Sequence, residues 1–331
     1  MRLGRRALIT ALIGAVSAVL LLVVAPPGDV LDQIGEMNPA WVLGAIGLEV
    51  VSCLSYVVVF RRFFPEPPSG VSREVAWTAM GAGAILPGGN ISSAAATGWL
   101  LRSHGIGTRK LIARCAALLF LLTLFGFVVN GVAGVLLLVR VPGGPHDFKH
   151  TMGPILVSVA VLSAASLIVV LARRLGERAP RWIRAAASGL EGAWKEVLSP
   201  HWRLVGVAGF LCLDMAALWA ATNATGHPLG VLALVIAYCI GYLATMIPMP
   251  AGLGVLDTGL AGSLVLYGLK PTAAVSAVLV YHAISIWVPG LGGLVAWLRT
   301  RRRVDGVGVQ PGAEPLITLP ALEILTPVES P

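Results

Sequence analysis

The sequence predicts an all-α integral membrane protein with about six full spans and two broken helix hairpins. Of its 331 residues, 56% are hydrophobic and only 12% are charged, whereas soluble domains carry about 25% charged residues. Apolar stretches that approach or exceed the length of a bilayer span, about 20 residues, recur along the chain. Two further apolar stretches are interrupted by clustered proline and glycine, which end helices. This composition excludes a soluble enzyme, a disordered protein and a disulfide-framed secreted domain.

Six stretches qualify as full spans. They cover residues 7–25, 39–60, 112–139, 154–172, 204–223 and 272–298. The first follows three arginines and could also be a cleaved signal peptide, but Pro26 directly after it disfavours cleavage. We therefore expect an uncleaved anchor followed by five more spans.

The two broken stretches cover residues 72–102 and 229–267. The residues that interrupt them are Pro87, Gly88, Gly89 and Asn90 in the first, and Pro250, Gly252 and Gly254 in the second. Irregular backbone at membrane depth persists only where protein or a water-filled cavity surrounds it. Each stretch is therefore predicted as a re-entrant hairpin whose turn lines a cavity. Two alternatives stay open: the breaks merely kink buried helices, or the first helix of the second hairpin crosses completely.

The basic residues indicate an orientation. The net charge is +8, with 24 Lys and Arg against 16 Asp and Glu. If the N-terminus is cytoplasmic and both hairpins are re-entrant, 21 of the 24 basic residues lie on the cytoplasmic side, leaving Arg140, Lys149 and Lys270 outside. Cytoplasmic loops of membrane proteins carry this excess. We predict a multi-pass protein of the bacterial inner membrane with both termini cytoplasmic, and no nucleic-acid partner.

The transmembrane domain is expected to cover residues 1–303. Within it, residues 177–199 alternate basic residues and tryptophan with apolar residues. That pattern predicts a cytoplasmic amphipathic helix lying on anionic headgroups, with a solvated linker helix as the alternative. Residues 304–331 are rich in proline and glycine and are predicted to be a disordered tail.

An internal repeat relates the two broken stretches. A shift of 163 residues carries Pro87 onto Pro250, Gly89 onto Gly252 and Gly105 onto Gly268. The same shift relates two copies, a first copy at about residues 39–139 and a second copy at about 202–302. The span that begins the first copy runs inward and its counterpart runs outward, so the copies are predicted to be inverted. Inverted repeats with broken helices are typical of transporters, and their half-helix ends can bind a phosphate or an ion.

A few polar residues interrupt the apolar stretches. Glu49 and Asp214 each lie about ten residues into a span, where a charge costs at least ~2.5–3.5 kcal/mol. They could bind a proton, a cation or a lipid amine, or serve as hydrogen-bonded packing groups. Asp257, after the second break, caps its half-helix or lines a substrate path. Tyr281 and His282 in the last span are further candidates, although a lone histidine there is usually a packing residue.

The sequence contains no recognisable catalytic or metal-binding motif. It lacks the GxSxG, Walker A and HExxH patterns. His146 and His150 lie four residues apart but have no clear third ligand. We therefore expect no enzyme activity, no cofactor and no metal site.

Residues 247–257, with the sequence IPMPAGLGVLD, resemble a motif of the lysylphosphatidylglycerol synthase transmembrane (flippase-like) family, P-x-P-G-G-x-G-x-x-E. The resemblance extends over roughly residues 5–303 and includes Tyr281-His282. The family commonly has Glu where this chain has Asp257, and Arg where it has His282. The resemblance implies the family's membrane part, linked to lipid translocation, without the aminoacyltransferase domain.

These observations predict a lipid flippase or lipid-linked substrate transporter that works by alternating access around the two hairpins. Its partners would be membrane lipids, with anionic and polyprenyl-linked lipids as candidates. The alternative is a non-transporting membrane scaffold for a cell-envelope glycosyltransferase or lipid-modifying enzyme. A membrane-embedded transferase is a third and weaker alternative, because no acid–base cluster faces either side.

Overall fold

The described part of the chain is built from α-helices. The computed structural model describes residues 25–86, 88–102, 105–199, 201–243 and 255–306. These residues form eleven α-helices: α1 (Pro27–Gly35), α2 (Pro39–Phe63), α3 (Ser69–Ile85), α4 (Asn90–Arg102), α5 (Thr108–Leu138), α6 (Phe148–Leu175), α7 (Arg181–Leu198), α8 (Val205–Ala224), α9 (Val231–Leu243), α10 (Val255–Leu266) and α11 (Pro271–Gly306).

Among the described residues, five helical segments are long and apolar enough to cross a membrane. They are Pro39–Phe63, Thr108–Leu138, His150–Arg178, Trp202–Ala224 and Pro271–Arg301. They correspond to the second to sixth predicted spans, so the prediction of an all-α multi-pass membrane protein is confirmed. The first predicted span, except for Ala25, lies outside the described residues. So does the predicted tail from residue 307 onward, whereas residues 304–306 form the last turn of α11.

Local sequence signals explain where the spanning helices begin and end. The side chain of Asn38 accepts a hydrogen bond from Ala40 N at 2.9 Å, and Pro39 occupies the first turn of α2, where a missing N–H costs nothing. The same helix ends on Arg61 and Arg62. Basic residues at a helix C-terminus offset the negative end of the helix dipole, and here they also mark the edge of the apolar span.

The first broken stretch forms two helices joined by a tight turn. Helix α3 ends at Ile85 and α4 begins at Asn90, and the two helices pack on each other. Between them, Gly88 and Gly89 have φ angles of 106° and 50°, in a region that glycine enters without steric cost. The second broken stretch gives α9 and α10, which also pack together. Residues 244–254 between them lie outside the described residues.

Helix boundaries in the two predicted copies correspond after the shift of 163 residues. Pro39 at the start of α2 maps onto Trp202, where the helical segment of α8 begins, and Thr108 at the start of α5 maps onto Pro271 at the start of α11. Packing partners correspond as well, because α3 packs on α11 while its counterpart α9 packs on α5. Helix α6 has no counterpart and packs on α5 and α7.

Helices α2 and α8 form the closest crossing between the copies. An added Cβ at Gly206 of α8 would lie 2.4 Å from the carbonyl oxygen of Ser55 on α2. The hydroxyl of Ser52 donates to the carbonyl oxygen of Phe210 at 2.8 Å, and Trp41 meets Trp219 edge to face. Small residues permit such close approach of membrane helices, so α2 and α8 pack here through direct backbone contact.

Helix α7 lies against the bundle rather than apart from it. One face of α7 is buried on α5 and α6, and Gly189 approaches the ring of Phe120 so closely that a Cβ would lie 2.8 Å from it. Trp182 and Trp194 remain exposed on the same helix. Helix α7 thus lies within the predicted range of residues 177–199, and its buried side packs on α5 and α6.

Candidate functional site

The structure brings together two of the carboxyl groups singled out in the spans. Glu49 lies on α2 and Asp214 on α8, and at the crossing of these helices the two carboxyl groups come within interaction range of each other. Glu49 is buried, with 4% of its surface exposed, whereas Asp214 is half-buried. Glu49 is ten residues after Pro39, about 15 Å along the helix, so the pair lies near the middle of a hydrocarbon core about 30 Å thick.

Two tyrosines bind the Asp214 carboxylate. The hydroxyl of Tyr238, on α9, donates to Oδ2, and the hydroxyl of Tyr281, on α11, donates to Oδ1 at 2.8 Å. Both tyrosines are buried. Four helices (α2, α8, α9 and α11) therefore converge on one polar cluster, which consists of Glu49, Asp214, Tyr238 and Tyr281.

The Glu49 carboxyl is only partly satisfied. Its Oε1 accepts a weak hydrogen bond from the thiol of Cys53 at 3.7 Å. Its Oε2 is buried and accepts no hydrogen bond from any residue that the structure describes. Buried polar atoms without a partner are rare in folded proteins, so this oxygen identifies Glu49 as the member of the cluster that needs another ligand.

The turn of the first hairpin lies level with the middle of α11. Glu74 near the start of α3 accepts a hydrogen bond from Thr300 at 3.1 Å, and Ile85 at its end lies against Gly290, where an added Cβ would be 2.9 Å from the Ile85 side chain. The two helices are therefore antiparallel. Gly290 is eleven residues before the end of the apolar segment Pro271–Arg301, about 17 Å along the helix.

The first helix of the second hairpin enters beside α5. Ala233 N donates to the carbonyl oxygen of Gly143, in the loop after α5, at 3.0 Å. Six residues further, the thiol of Cys239 donates to the carbonyl oxygen of Gly126 at 3.6 Å. Gly126 is near the middle of α5, so α9 also runs antiparallel to its neighbour and reaches its middle.

The other predicted site residues lie at the turn of the first hairpin, on α10 and α11, or outside the described residues. Gly88 and Gly89 lie in the turn between α3 and α4, Asn90 begins α4, and both Gly88 and Asn90 are exposed. Pro87, Pro250, Gly252 and Gly254 lie outside the described residues, as does the side chain of Asp257, whose backbone is in the first turn of α10. His282 is half-buried and follows Tyr281 on α11.

Sequence reasoning missed Tyr238. It lies on the apolar half-helix α9, and a tyrosine in such a helix is a possible hydrogen-bond donor that could have been considered, because its hydroxyl seeks a partner when buried.

Within the described residues, no group of three or more His, Cys, Asp and Glu side chains is arranged to hold a metal ion. The two loop histidines bind protein atoms instead. His150 Nδ1 pairs with Asp147 Oδ2 at 2.6 Å, and His146 Nδ1 lies 3.0 Å from the carbonyl oxygen of Leu137.

Comparison with known proteins identifies a family. Residues 9–293 match the family model described as the lysylphosphatidylglycerol synthase TM region. No curated protein matches the chain. The family match includes both broken hairpins and all four residues of the polar cluster. The chain therefore belongs to the lysylphosphatidylglycerol synthase transmembrane family.

Proposed function

We propose that this protein is a lipid flippase or lipid-linked substrate transporter of the bacterial inner membrane, with both termini cytoplasmic and with transport rather than catalysis as its activity. The observation that supports it best is that the first helices of both hairpins reach the middle of neighbouring spans, and that the first helix of the second hairpin, α9, contributes Tyr238 to the polar cluster. Broken helices that meet around a polar site at mid-membrane are a recurring transporter architecture.

The distribution of basic residues supports opposite entry of the two hairpins. Helix α5 begins with Arg109 and Lys110, whereas α11 carries Arg299 and Arg301 near its end. If these basic ends share the cytoplasmic side, α3 enters from the cytoplasm along the last part of α11. Helix α9 starts at the opposite end of α5 and enters from outside. Alternating access would then open the polar cluster to one side at a time.

The surroundings of the cluster suit an amphiphilic substrate. An apolar groove at the outer end of α2 is lined by Ile34, Met37, Val42 and Val280, among other residues, and Val280 adjoins Tyr281 of the polar cluster. An acyl or prenyl chain could lie in this groove while the polar part of the lipid approaches the carboxyl groups. The start of α4 at the exposed Asn90 adds the positive end of a half-helix, which attracts anionic groups.

Reconstitution tests the proposal directly. The protein would be inserted into vesicles that carry fluorescent phospholipids or a polyprenyl-phosphate lipid, and the fraction of probe accessible to a membrane-impermeant quencher would be followed. We expect transfer by the wild type and a loss in Asp214→Asn, which removes the charge that both tyrosines bind. Glu36→Gln, at an exposed residue after α1, is the control and should match the wild type.

The outcome that contradicts the proposal is the absence of transfer for every lipid tested. A scaffold would give that result and would instead co-purify with an envelope enzyme, with tolerance of changes at Glu49 and Asp214.

Cysteine accessibility tests the opposite entry of the hairpins. In a background without the four native cysteines, Asn90→Cys should react with an impermeant maleimide from the cytoplasmic side and Ala251→Cys from the outside. Reaction of both from the same side would exclude inverted hairpins while leaving lipid transfer untouched.

A further inference from the structure

We propose that Glu49 and Asp214 form a proton-binding site at the crossing of α2 and α8, with one proton shared between the two carboxyl groups, and that this proton is the coupling ion of transport. The coupling role rests on the proposed function, whereas the proton site does not depend on it.

The hydrogen bonds assign the position of the proton. Both oxygens of Asp214 already accept hydrogen bonds, from Tyr238 and Tyr281, so Asp214 is arranged as the charged acceptor. Glu49 differs, because its buried Oε2 accepts no hydrogen bond from the described residues. A proton on Glu49 that is donated to the Asp214 carboxylate satisfies the unpartnered oxygen and adds a third hydrogen bond to the charged group.

Electrostatics leads to the same arrangement. Among the residues that the structure describes, the titratable groups that interact with the pair are Cys53 on α2, Tyr238 on α9 and Tyr281 on α11. None of them is a cation. Two interacting carboxylates inside the membrane would repel each other, and carboxyl pairs in this situation retain one proton between them. One shared proton reduces the charge of the cluster from two negative charges to one.

The donors in the cluster favour a proton over a metal cation. Metal ions such as Na⁺ and Mg²⁺ are bound by several oxygen lone pairs. Here the hydroxyl hydrogens of two tyrosines point at Asp214 and occupy one lone pair on each of its oxygens, and within the described residues no group of three or more His, Cys, Asp and Glu side chains is arranged to hold a metal ion. A proton requires only one donor–acceptor contact, and the pair offers it.

Infrared spectroscopy of the full chain in lipid nanodiscs tests the proton site without any transport assay. The wild type should show the carbonyl band of one protonated carboxylic acid per chain above about pH 6, where ordinary carboxyl groups are ionised. Glu49→Gln should lose this band, and Glu36→Gln should retain it. Tyr281→Phe should retain the band but shift its frequency, because it removes one hydrogen bond from the acceptor.

The same series separates the proton site from its role. Absence of the band in a folded wild type would overturn the proton site, whether or not lipid transfer occurs. If the band is present, vesicles with a pH gradient test the coupling: the wild type should redistribute lipid in response to the gradient, and Glu49→Gln should lose that dependence. An equal response of both proteins to the gradient would overturn the coupling role, and a band without any lipid transfer would refute the proposed function alone.

Discussion

The crossing of α2 and α8 predicts a large effect for the substitution Gly206→Ala. The new Cβ would lie 2.4 Å from the carbonyl oxygen of Ser55 and 2.8 Å from Val59 N. Both are backbone atoms within a helix, so no side-chain rotation can relieve the overlap. Ordinary contacts begin at 3.4 Å, so the helices must separate by about 1 Å, a gap that already forfeits a quarter to a half of each dispersion contact.

The expected destabilisation is about 2–3 kcal/mol, the upper part of the range for overpacked cores. It would be measured by reversible unfolding in mixed micelles with increasing denaturing detergent. Two control variants add the same methyl group at positions where the overlap is smaller or absent. At Gly209 an added Cβ would lie 2.6 Å from the hydroxyl of Ser55 and 2.9 Å from its Cβ. The hydroxyl can rotate away and the remaining overlap is smaller than at Gly206, so Gly209→Ala should cost less. At Gly47 nothing lies within 4 Å, and Gly47→Ala should gain helix propensity, at most ~1 kcal/mol.

The reasoning would be refuted if Gly206→Ala unfolded at the same detergent fraction as Gly47→Ala. Such a result would mean that the two helices are not in backbone contact. By the same reasoning, separation of the helices should disturb the contact between Glu49 and Asp214, so the infrared band of the shared proton should weaken in Gly206→Ala and persist in Gly47→Ala.

Two further predictions concern polar contacts away from the cluster. Hydrogen bonds from Arg114 and Lys110 hold the pKa of Glu66 down at about 2, so Glu66 stabilises the fold above the unfolded pKa of about 4.3 and loses this effect as the pH falls towards 2. We expect the stability difference between wild type and Glu66→Gln to stay below ~1 kcal/mol, because these ion pairs are solvated. The difference should shrink between about pH 4 and pH 2. A difference that does not change with pH would contradict this prediction. Asn130→Ala removes donors to Pro154 O at 3.1 Å and to Ser158 Oγ at 3.0 Å and should cost ~0.6–2 kcal/mol of unfolding free energy, whereas unchanged stability would show that these contacts do not join α5 to α6.

The spans and the breaks could be predicted from sequence because both depend on local chemistry. A stretch such as residues 112–139 is apolar throughout, and in lipid only a helix satisfies its backbone. The turn between α3 and α4 follows from Gly88 and Gly89, which reach positive φ angles without strain. These features need no knowledge of which helices are neighbours.

The polar cluster could only partly be predicted, because it depends on helix neighbours. Glu49 and Asp214 were conspicuous as single charges in apolar helices, but their contact requires the register of α2 against α8. Tyr238 was missed for the same reason, since its partner is 24 residues away on another helix. The contact face of α7 likewise depends on Gly189 meeting Phe120, a fit that hydrophobic periodicity alone does not specify.

The register of the crossing explains why the carboxyl pair occupies this level. Along α2 and α8, Trp41 meets Trp219 near one end and Ser55 meets Gly206 towards the other, so the helices run antiparallel. Because the two helices are antiparallel, most residues of α2 lie at a different level from their counterparts on α8, which follow 163 residues later. Only near Glu49, whose counterpart is Cys212, do a residue and its counterpart lie at the same level. A pseudo-twofold axis between the copies would pass through this level. A movement of one copy against the other would therefore leave this level between the two copies.

The hydrogen bonds around the pair do not share that symmetry. The tyrosines that bind Asp214 belong to the second copy, and the shift of 163 places apolar residues, Val75 and Leu118, at their positions in the first. Asp214 is thus tied to α9 and α11, while Glu49 is the contribution of the first copy. A proton between them joins the copies by one hydrogen bond, and its loss replaces that bond with repulsion at the same place. In the proposed transporter, protonation would therefore act on the contact between the copies, the contact that alternating access has to change.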